Sequence, residues 1–283
     1  MRVSSLHIHP IKGGSIIDVA QTRIDAEGLH YDRRWMLVDR NDRFVTQREL
    51  PALALLSGEP HDDGLTLAFD GRPIGTARFG PGRKDVMIWR DRVSVATTAP
   101  DIDGALSERL GTGVSLVAFD EHSHRATNPE WANDSTVGLA DGYPILIATS
   151  ASLQALNEAI EAKGGEGVPM QRFRPNIVID GTLPWADDEW ATIRVGDVTL
   201  EIVKPCIRCT VTTVDQDRGS VVNDEPLATL RGLRMSDDRR VAGVLFGWNA
   251  VPRTVGMVEV GASVEVLETR AAWSIRAALQ PSA

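Results

Sequence analysis

The sequence predicts a mainly β protein with a few helices, of the barrel or sandwich kind and not a chain of βαβ units. Three observations carry that expectation. Short apolar runs separated by tight-turn residues fill roughly the first hundred positions, few stretches have helical periodicity, and no glycine-rich phosphate loop follows a strand.

Taken in order, "WMLVDRNDRFVTQ" is a hairpin pattern, with apolar runs on either side of Arg40-Asn41-Asp42. "LTLAFDGRPIGTARF" repeats it around Asp70-Gly71, a strong two-residue turn signal, and "VMIWRDRVSVA" turns at Arg90-Asp91. The first helix, in "APDIDGALSERLGTG", takes Asp101 as its N-cap, repeats Ile102, Leu106 and Leu110, and stops at Gly111. The second, in "TSASLQALNEAIEAKGG", sets Leu153, Leu156 and Ile160 on one face and ends at Gly164-Gly165. "DEPLATLRGL" is a shorter third. From about residue 170 strands return in "NIVIDG", "ATIRVGDVTLEIV", "CTVTTVD", which Cys209 is expected to start, and "ASVEVLET". A polar, loop-like stretch around residues 112 to 136 suggests a division into 1–118 and 119–283.

The bulk composition narrows function by exclusion. At 283 residues, 42% hydrophobic and 24% charged, the chain is long enough for two cores and has the make-up of a soluble protein. No apolar run is long enough to span a membrane, and "MRVSSLHIHPIKGG" lacks the apolar centre of a signal peptide. Two cysteines make no disulfide framework, so a cytoplasmic protein is expected. A net charge of −9 argues against nucleic acid as a partner, since counterion displacement needs a basic face. It leaves room for a local anion pocket. Lys12, Arg33, Arg48, Arg174, Lys204 and Arg208 stand near Gly, Pro or cysteine and are its candidates, although most such cations are ordinary surface charges.

The two cysteines, in "KPCIRCTVTTVDQDRG", admit four readings. A thioredoxin-like dithiol would open a helix, whereas Cys209 precedes β-branched residues and lacks a helix dipole to lower its pKa. Half a zinc site would need further ligands, such as His122 and His124, brought in by folding. Both could be small buried apolar residues. Finally, a single thiolate beside cations, here Lys204 and Arg208, could ligate a soft transition metal.

"FRPNIVIDG" followed by "RVGDVTLEIVKPCIRCTVTTVDQDRG" resembles the molybdenum cofactor sulfurase C-terminal (MOSC) domain, in the branch of the mitochondrial amidoxime-reducing component and its bacterial relatives. "LHIHPIKGG" and "EGLHYDRRWMLVDRNDRFVTQRE" resemble the N-terminal β-barrel domain that accompanies it, and "ADGYPILIATSASLQALN" and "LFGWNAV" also match. The resemblance therefore runs along nearly the whole chain. It implies a MOSC N-terminal β-barrel domain over 1–118 and a MOSC β-barrel domain over 119–283.

It also implies molybdenum cofactor, a metal held by the dithiolene of a phosphorylated pterin. Cys209 would complete the metal site as the catalytic ligand, whereas Cys206 has no assigned role. Cofactor contacts carry over to Lys12, Arg33, Asp141, Arg174 and Asn176. Arginine suits a phosphate, and Asp141 can accept pterin N–H groups. Pro175 should hold Arg174 extended and aim it with Asn176 into one pocket.

The chain departs from the family at Gly13, where a serine is usual, and at Gly142 and Tyr143, which replace small hydroxyl residues. Trp185 and Trp190 read as either lid or core. The implied activity is reduction of small N-hydroxylated compounds (amidoximes, hydroxylamines, N-hydroxylated bases). The C-terminal "AAWSIRAALQPSA" has no cysteine cluster, so electrons are expected from a separate reductase. A non-catalytic carrier of molybdenum cofactor or sulfur is the alternative.

Overall fold

A computed structural model describes residues 1–276, so positions 277–283 of the cysteine-free C-terminal stretch lie outside the described residues. The mainly β expectation holds: among the described residues, strands are accompanied by three α-helices, α1 (Pro100–Leu110), α2 (Ser150–Glu161) and α3 (Leu227–Leu233). No helix among them is long and apolar enough to cross a membrane.

Two sheets carry the structure. A six-stranded antiparallel sheet runs Trp35–Val38, Ser115–Ala118, Asp91–Thr98, Arg72–Ile88, Gly64–Phe69 and Leu56–His61 in spatial order. An eight-stranded sheet runs Val264–Thr269, Trp190–Val195, Val198–Ile207, Leu245–Pro252, Ile145–Thr149, Ile177–Asp180, Arg2–Ile8 and Ile17–Val19. Sheet pairing crosses the division expected at residue 118, because Arg2–Ile8 pairs antiparallel with Ile177–Asp180. Its inward residues Val3, Leu6 and Ile8 join Ile147, Ile177, Ile193, Leu200 and Trp248 in one core. A second core forms around Ile11, Trp35, Leu37, Leu53, Leu65 and Leu106. Tyr31 packs against both.

Several local expectations are met. Asp70 and Gly71 both take positive φ (50° and 70°) at the tip of their hairpin, the geometry a two-residue turn between twisted strands requires. Gly111 caps α1 in the left-handed conformation, φ 67°. The Thr149 side chain accepts the Ser152 N–H at the start of α2, which buries Leu156 and Ile160.

Others are corrected. α1 starts two residues earlier than Asp101 suggests: Ala99 is the N-cap, Pro100 opens the first turn, and Asp101 sits inside it, where its charge complements the helix dipole. The third hairpin pairs Ile88 with Asp91, so its turn is Trp89-Arg90. One βαβ unit is present after all, since Ile145–Thr149 and Ile177–Asp180 pair parallel with α2 between them. Cys209 does not start a strand. It precedes a 3-10 turn, Thr210–Thr213, in which the Thr212 hydroxyl donates to the Cys209 carbonyl (2.9 Å) and the Thr213 hydroxyl to that of Thr210 (2.8 Å). Side chains that bond their own backbone in this way compete with sheet pairing.

Trp190 is core, 4% exposed, and Trp185 packs edge-on against Phe246 with the Arg234 guanidinium 4.5 Å from its ring centre. Between them lies a buried acidic pair. Asp188 accepts two 2.7 Å bonds from Arg234 and one of 3.1 Å from the Trp248 indole. Asp187 has no such partner among the described residues: its Oδ1 is buried and unsatisfied. Burial first, and the Asp188 charge second, push the Asp187 carboxyl up to about 7.

An acid that resists ionisation when folded destabilises the fold as the unfolded chain ionises. The penalty is absent below about pH 4, grows by roughly 1.4 kcal/mol per pH unit up to about pH 7, and is constant above that. Asp187→Asn should therefore match the wild type in stability at pH 4 and exceed it at pH 8 by a few kcal/mol, in urea unfolding followed against pH. Parallel pH profiles for the two proteins would show that the carboxyl ionises normally.

Candidate functional site

The candidate side chains come from turns where the two sheets meet. The segment leaving Arg2–Ile8 crosses to the six-stranded sheet, with the Lys12 N–H donating to the Trp35 carbonyl (2.7 Å) and the Arg33 N–H to that of His9 (2.8 Å). Arg174 ends the 3-10 turn Met170–Phe173, where its N–H donates to the Gln171 carbonyl. The extended conformation expected from Pro175 is not adopted: Arg174 is left-handed, φ 55° and ψ 46°. That geometry costs about 1–3 kcal/mol for a side-chain-bearing residue and persists where surrounding bonds over-determine it. Here Arg33 Nη2 grips the Arg174 carbonyl at 3.1 Å, and Arg174 Nη1 donates to the Gly14 carbonyl at 2.7 Å.

All six expected residues, Lys12, Arg33, Asp141, Arg174, Asn176 and Cys209, line one cleft of about 920 Å³ counting its open mouth. Arg48 and Arg208 line it too, so it is bordered by five cations and the single carboxylate of Asp141. Of the cations singled out in the sequence, Lys204 alone lies elsewhere, in a neighbouring groove with its ammonium 5.3 Å from the Trp131 ring centre.

The electrostatics are lopsided. Lys12 Nζ donates to Asp141 Oδ1 at 2.5 Å. Desolvation raises the Asp141 carboxyl, but Lys12, with Arg33 and Arg48 beyond it, outweighs that and holds it well below the usual carboxylate range. Because the Asp141 side chain is 74% exposed to the cleft, solvent screens much of this attraction. Burial and the adjacent Arg33 charge push Arg174 down to about 9, and Asp32 and Asp141 compensate its charged form only in part. Its Nη2 is buried with no partner among the described residues.

Both cysteines are free and partly exposed. Arg208 Nη1 donates to Cys206 Sγ at 2.8 Å, and Arg48 Nη1 lies 3.7 Å from Cys209 Sγ. The cations beside the sulfurs are thus Arg208 and Arg48, not Lys204. Cys209 caps a four-residue 3-10 turn and no α-helix, so the helix dipole that a thioredoxin-like dithiol uses is absent. Among the described residues no three His, Cys, Asp or Glu side chains cluster as metal ligands, so His122 and His124 do not complete a zinc site with the cysteines.

Asn176 lines the cleft and also has a scaffolding task. Its Oδ1 accepts from Arg33 Nη1 (3.0 Å) and the Leu146 N–H (3.0 Å), and its Nδ2 donates to the His7 carbonyl (3.2 Å). It positions the guanidinium while its own polar atoms are already engaged. Gly13 has φ 79°, and a Cβ there would sit 2.7 Å from Leu53 Cδ2, so the serine usual in the family would be strained in this chain. Tyr143 packs against Ala132, Val203 and Val251.

Sequence reasoning missed the buried amide pair of Gln47 and Gln216, linked by two 3.0 Å bonds, which joins the Gly13 carbonyl (2.7 Å) to Arg174 Nη1 (3.1 Å). It also missed Phe44 and Trp89 at the cleft's edge. Arg208 was legible from its place between the cysteines. Arg48 was among the cations singled out in the sequence, but nothing local tied it to Cys209, 161 positions away, and nothing local marked Gln47, whose partner is 169 positions away.

Comparison with known proteins identifies the family. Residues 1–113 match the MOSC N-terminal beta barrel domain and residues 134–265 match the MOSC domain. The chain is 33% identical to human mitochondrial amidoxime-reducing component 1, over 94% of this chain and 82% of that protein. The mouse protein of the same name is 30% identical with the same coverage. A molybdenum cofactor sulfurase of Oryza sativa subsp. japonica is 24% identical over 89% of this chain, which spans 33% of that longer protein. The chain is a member of the MOSC family, with the MOSC N-terminal β-barrel domain placed ahead of the MOSC domain.

Proposed function

We propose that this protein is a molybdenum-cofactor-dependent reductase of N-hydroxylated compounds, with Cys209 as its ligand to the metal and a separate protein as electron donor. The observation that carries the reading is the cleft itself, where an accessible cysteine sulfur faces a ring of cations in marked excess over carboxylate.

The residues fit such a group. Arg174 Nη2 is a buried donor without a partner, the kind of atom an anionic ligand satisfies. A phosphate beside Arg174 and Arg33 would also relieve their mutual repulsion. Lys12 and Asp141, paired with each other at 2.5 Å, add a donor and an acceptor to the lining of the cleft. Cys209, near the Arg48 guanidinium, offers a soft anionic sulfur.

When bound, the cofactor would supply a metal centre able to exchange two electrons, which reduction of an N–OH group to N–H and water requires together with two protons. The chain's share is binding, orientation and access. Arg33 and Arg174 hold the anionic end, while the Arg48 and Arg208 guanidiniums stand beside the two sulfurs. No His or Glu lines the cleft among the described residues, so protons are taken from water at its open mouth. The similarity to a molybdenum cofactor sulfurase favours one second reading, a carrier that holds the cofactor, or sulfur on Cys209, for delivery.

Cys209→Ser should abolish N-hydroxyl reduction and lower molybdenum retention, because a hydroxyl is a hard ligand. Cys206→Ser should keep most of both, since a serine hydroxyl still accepts the Arg208 bond. Metal analysis and turnover measured side by side decide this, and equal losses would point to the two sulfurs acting together.

Arg174→Ala should leave a folded protein, about 1–3 kcal/mol less stable because the Gly14 carbonyl loses its donor. Its affinity for the cofactor should fall by roughly tenfold to a hundredfold. Pterin and molybdenum content per folded protein is the measurement, and wild-type occupancy would remove Arg174 from the site.

Cofactor-loaded protein should be inert with NADH or NADPH alone and should reduce an amidoxime once a reduced viologen is supplied, consuming two electrons per turnover. Failure with every N-hydroxylated compound, together with transfer of the cofactor to an apo-enzyme, would establish the carrier instead.

A further inference from the structure

A second groove adjoins the cleft. Trp89, Arg90, Arg125, Asn128 and Lys204 line it, and it shares Asp141, Gly142 and Tyr143 with the cleft. Trp89 marks the boundary between the two. It lines the groove, while its contacts reach cleft residues: its indole N–H donates to Asp141 Oδ1 (3.3 Å), the Arg48 guanidinium lies 4.7 Å from its ring centre, and Phe44 meets it edge-on at 5.0 Å. Trp89 is also 48% exposed and left-handed, φ 57°. A bulky side chain in that region is a genuine outlier, and the fold gains little burial from this one. What the conformation secures is the position of an aromatic ring at the junction of two cavities.

The groove's charge is unlike the chain's. Four cations, Arg90, Arg92, Arg125 and Lys204, border it against the carboxylates of Asp91 and Asp141, in a protein of net charge −9. Two of the cations are occupied: Arg125 is held by Asp91 and by the carbonyls of Gly138, Ala140 and Asp141, and Arg92 by Asp85. Arg90 and Lys204 have no carboxylate within ion-pair range among the described residues. Free cations in a recess attract anions, and an aromatic wall favours flat, weakly solvated ring systems.

We infer that this groove is a subsite for the far end of the substrate, that it selects planar aromatic N-hydroxylated compounds bearing an anionic group, and that Trp89 is the residue determining that specificity. The inference rests on the proposed reductase activity: the N–OH group enters the cleft towards Cys209 while the ring lies by Trp89 and the anion meets Arg90 and Lys204.

The test compares benzamidoxime with 4-carboxybenzamidoxime, which share a reacting group and differ by one carboxylate. With viologen-reduced, cofactor-loaded protein, the carboxylate compound should have a KM about tenfold lower at similar kcat, an advantage two partly exposed ion pairs can supply. Arg90→Ala combined with Lys204→Ala should bring its KM up to that of the uncharged compound. Trp89→Ala should erase the preference for benzamidoxime over its cyclohexyl analogue, and Trp89→Phe should restore most of it. Equilibrium dissociation constants on oxidised protein, where no turnover occurs, should show the same preferences.

Equal KM and Kd values for the two benzamidoximes, or a carboxylate preference that survives the double variant, would overturn the inference. Absence of turnover with a preserved Kd difference would overturn the reductase reading and leave the anion subsite standing.

Discussion

The Arg33 guanidinium is the tie on which the site depends. Its Nη1 donates to Asp32 at 2.5 Å and to Asn176 at 3.0 Å, and its Nη2 donates to the Arg174 carbonyl at 3.1 Å. One side chain therefore joins a turn of the N-terminal region to a segment more than a hundred positions later. The tie has an opposing term, because it places Arg33 near Arg174 in a poorly solvated corner. Asp32 supplies the compensation. It is 3% exposed and accepts the His9 N–H at 2.8 Å; burial disfavours its charge, but Arg33 reverses that and holds its carboxyl below the usual range. A cluster with cations left over in this way is incomplete by itself, and the unpartnered Arg174 Nη2 is where the incompleteness surfaces.

How much of this was legible depended on the range of the physics involved. Hairpins with two-residue turns and helices with a cap and a four-residue repeat are local, and Asp70-Gly71, Gly111 and the Leu156–Ile160 face were readable as such. The Thr/Val run after Cys209 was misleading because β-branched residues favour strands only when no hydroxyl captures a nearby carbonyl, and Thr212 and Thr213 do capture one. Arg174 defied the usual restriction before proline because bonds from Arg33 and to Gly14 outweigh a local preference of a few kcal/mol.

The six expected site residues were found through short motifs that the structure gathers into one cleft. What joins those motifs could not be found that way. Gln47 and Gln216 have no apolar periodicity or turn chemistry to mark them, and their pairing exists only after both sheets have formed. Arg48 was singled out as a cation, but its approach to Cys209 was not legible, because it depends on how the six-stranded sheet sits against the eight-stranded one. Asn176 shows the converse: the motif located it correctly, but its bonds to Leu146, His7 and Arg33 give it a scaffolding task that motif position alone does not reveal.

The left-handed backbone at Trp89 bears on how this protein would drift or be engineered. A half-exposed ring contributes little to the core, whereas glycine at the same φ relieves the steric conflict outright. Any screen that rewards thermal resistance alone would accept glycine at this position readily, and each acceptance would open the wall between the two cavities. If the proposed subsite is used, a tryptophan retained there marks selection on ligand handling, and library design aimed at robustness should hold that hairpin tip fixed.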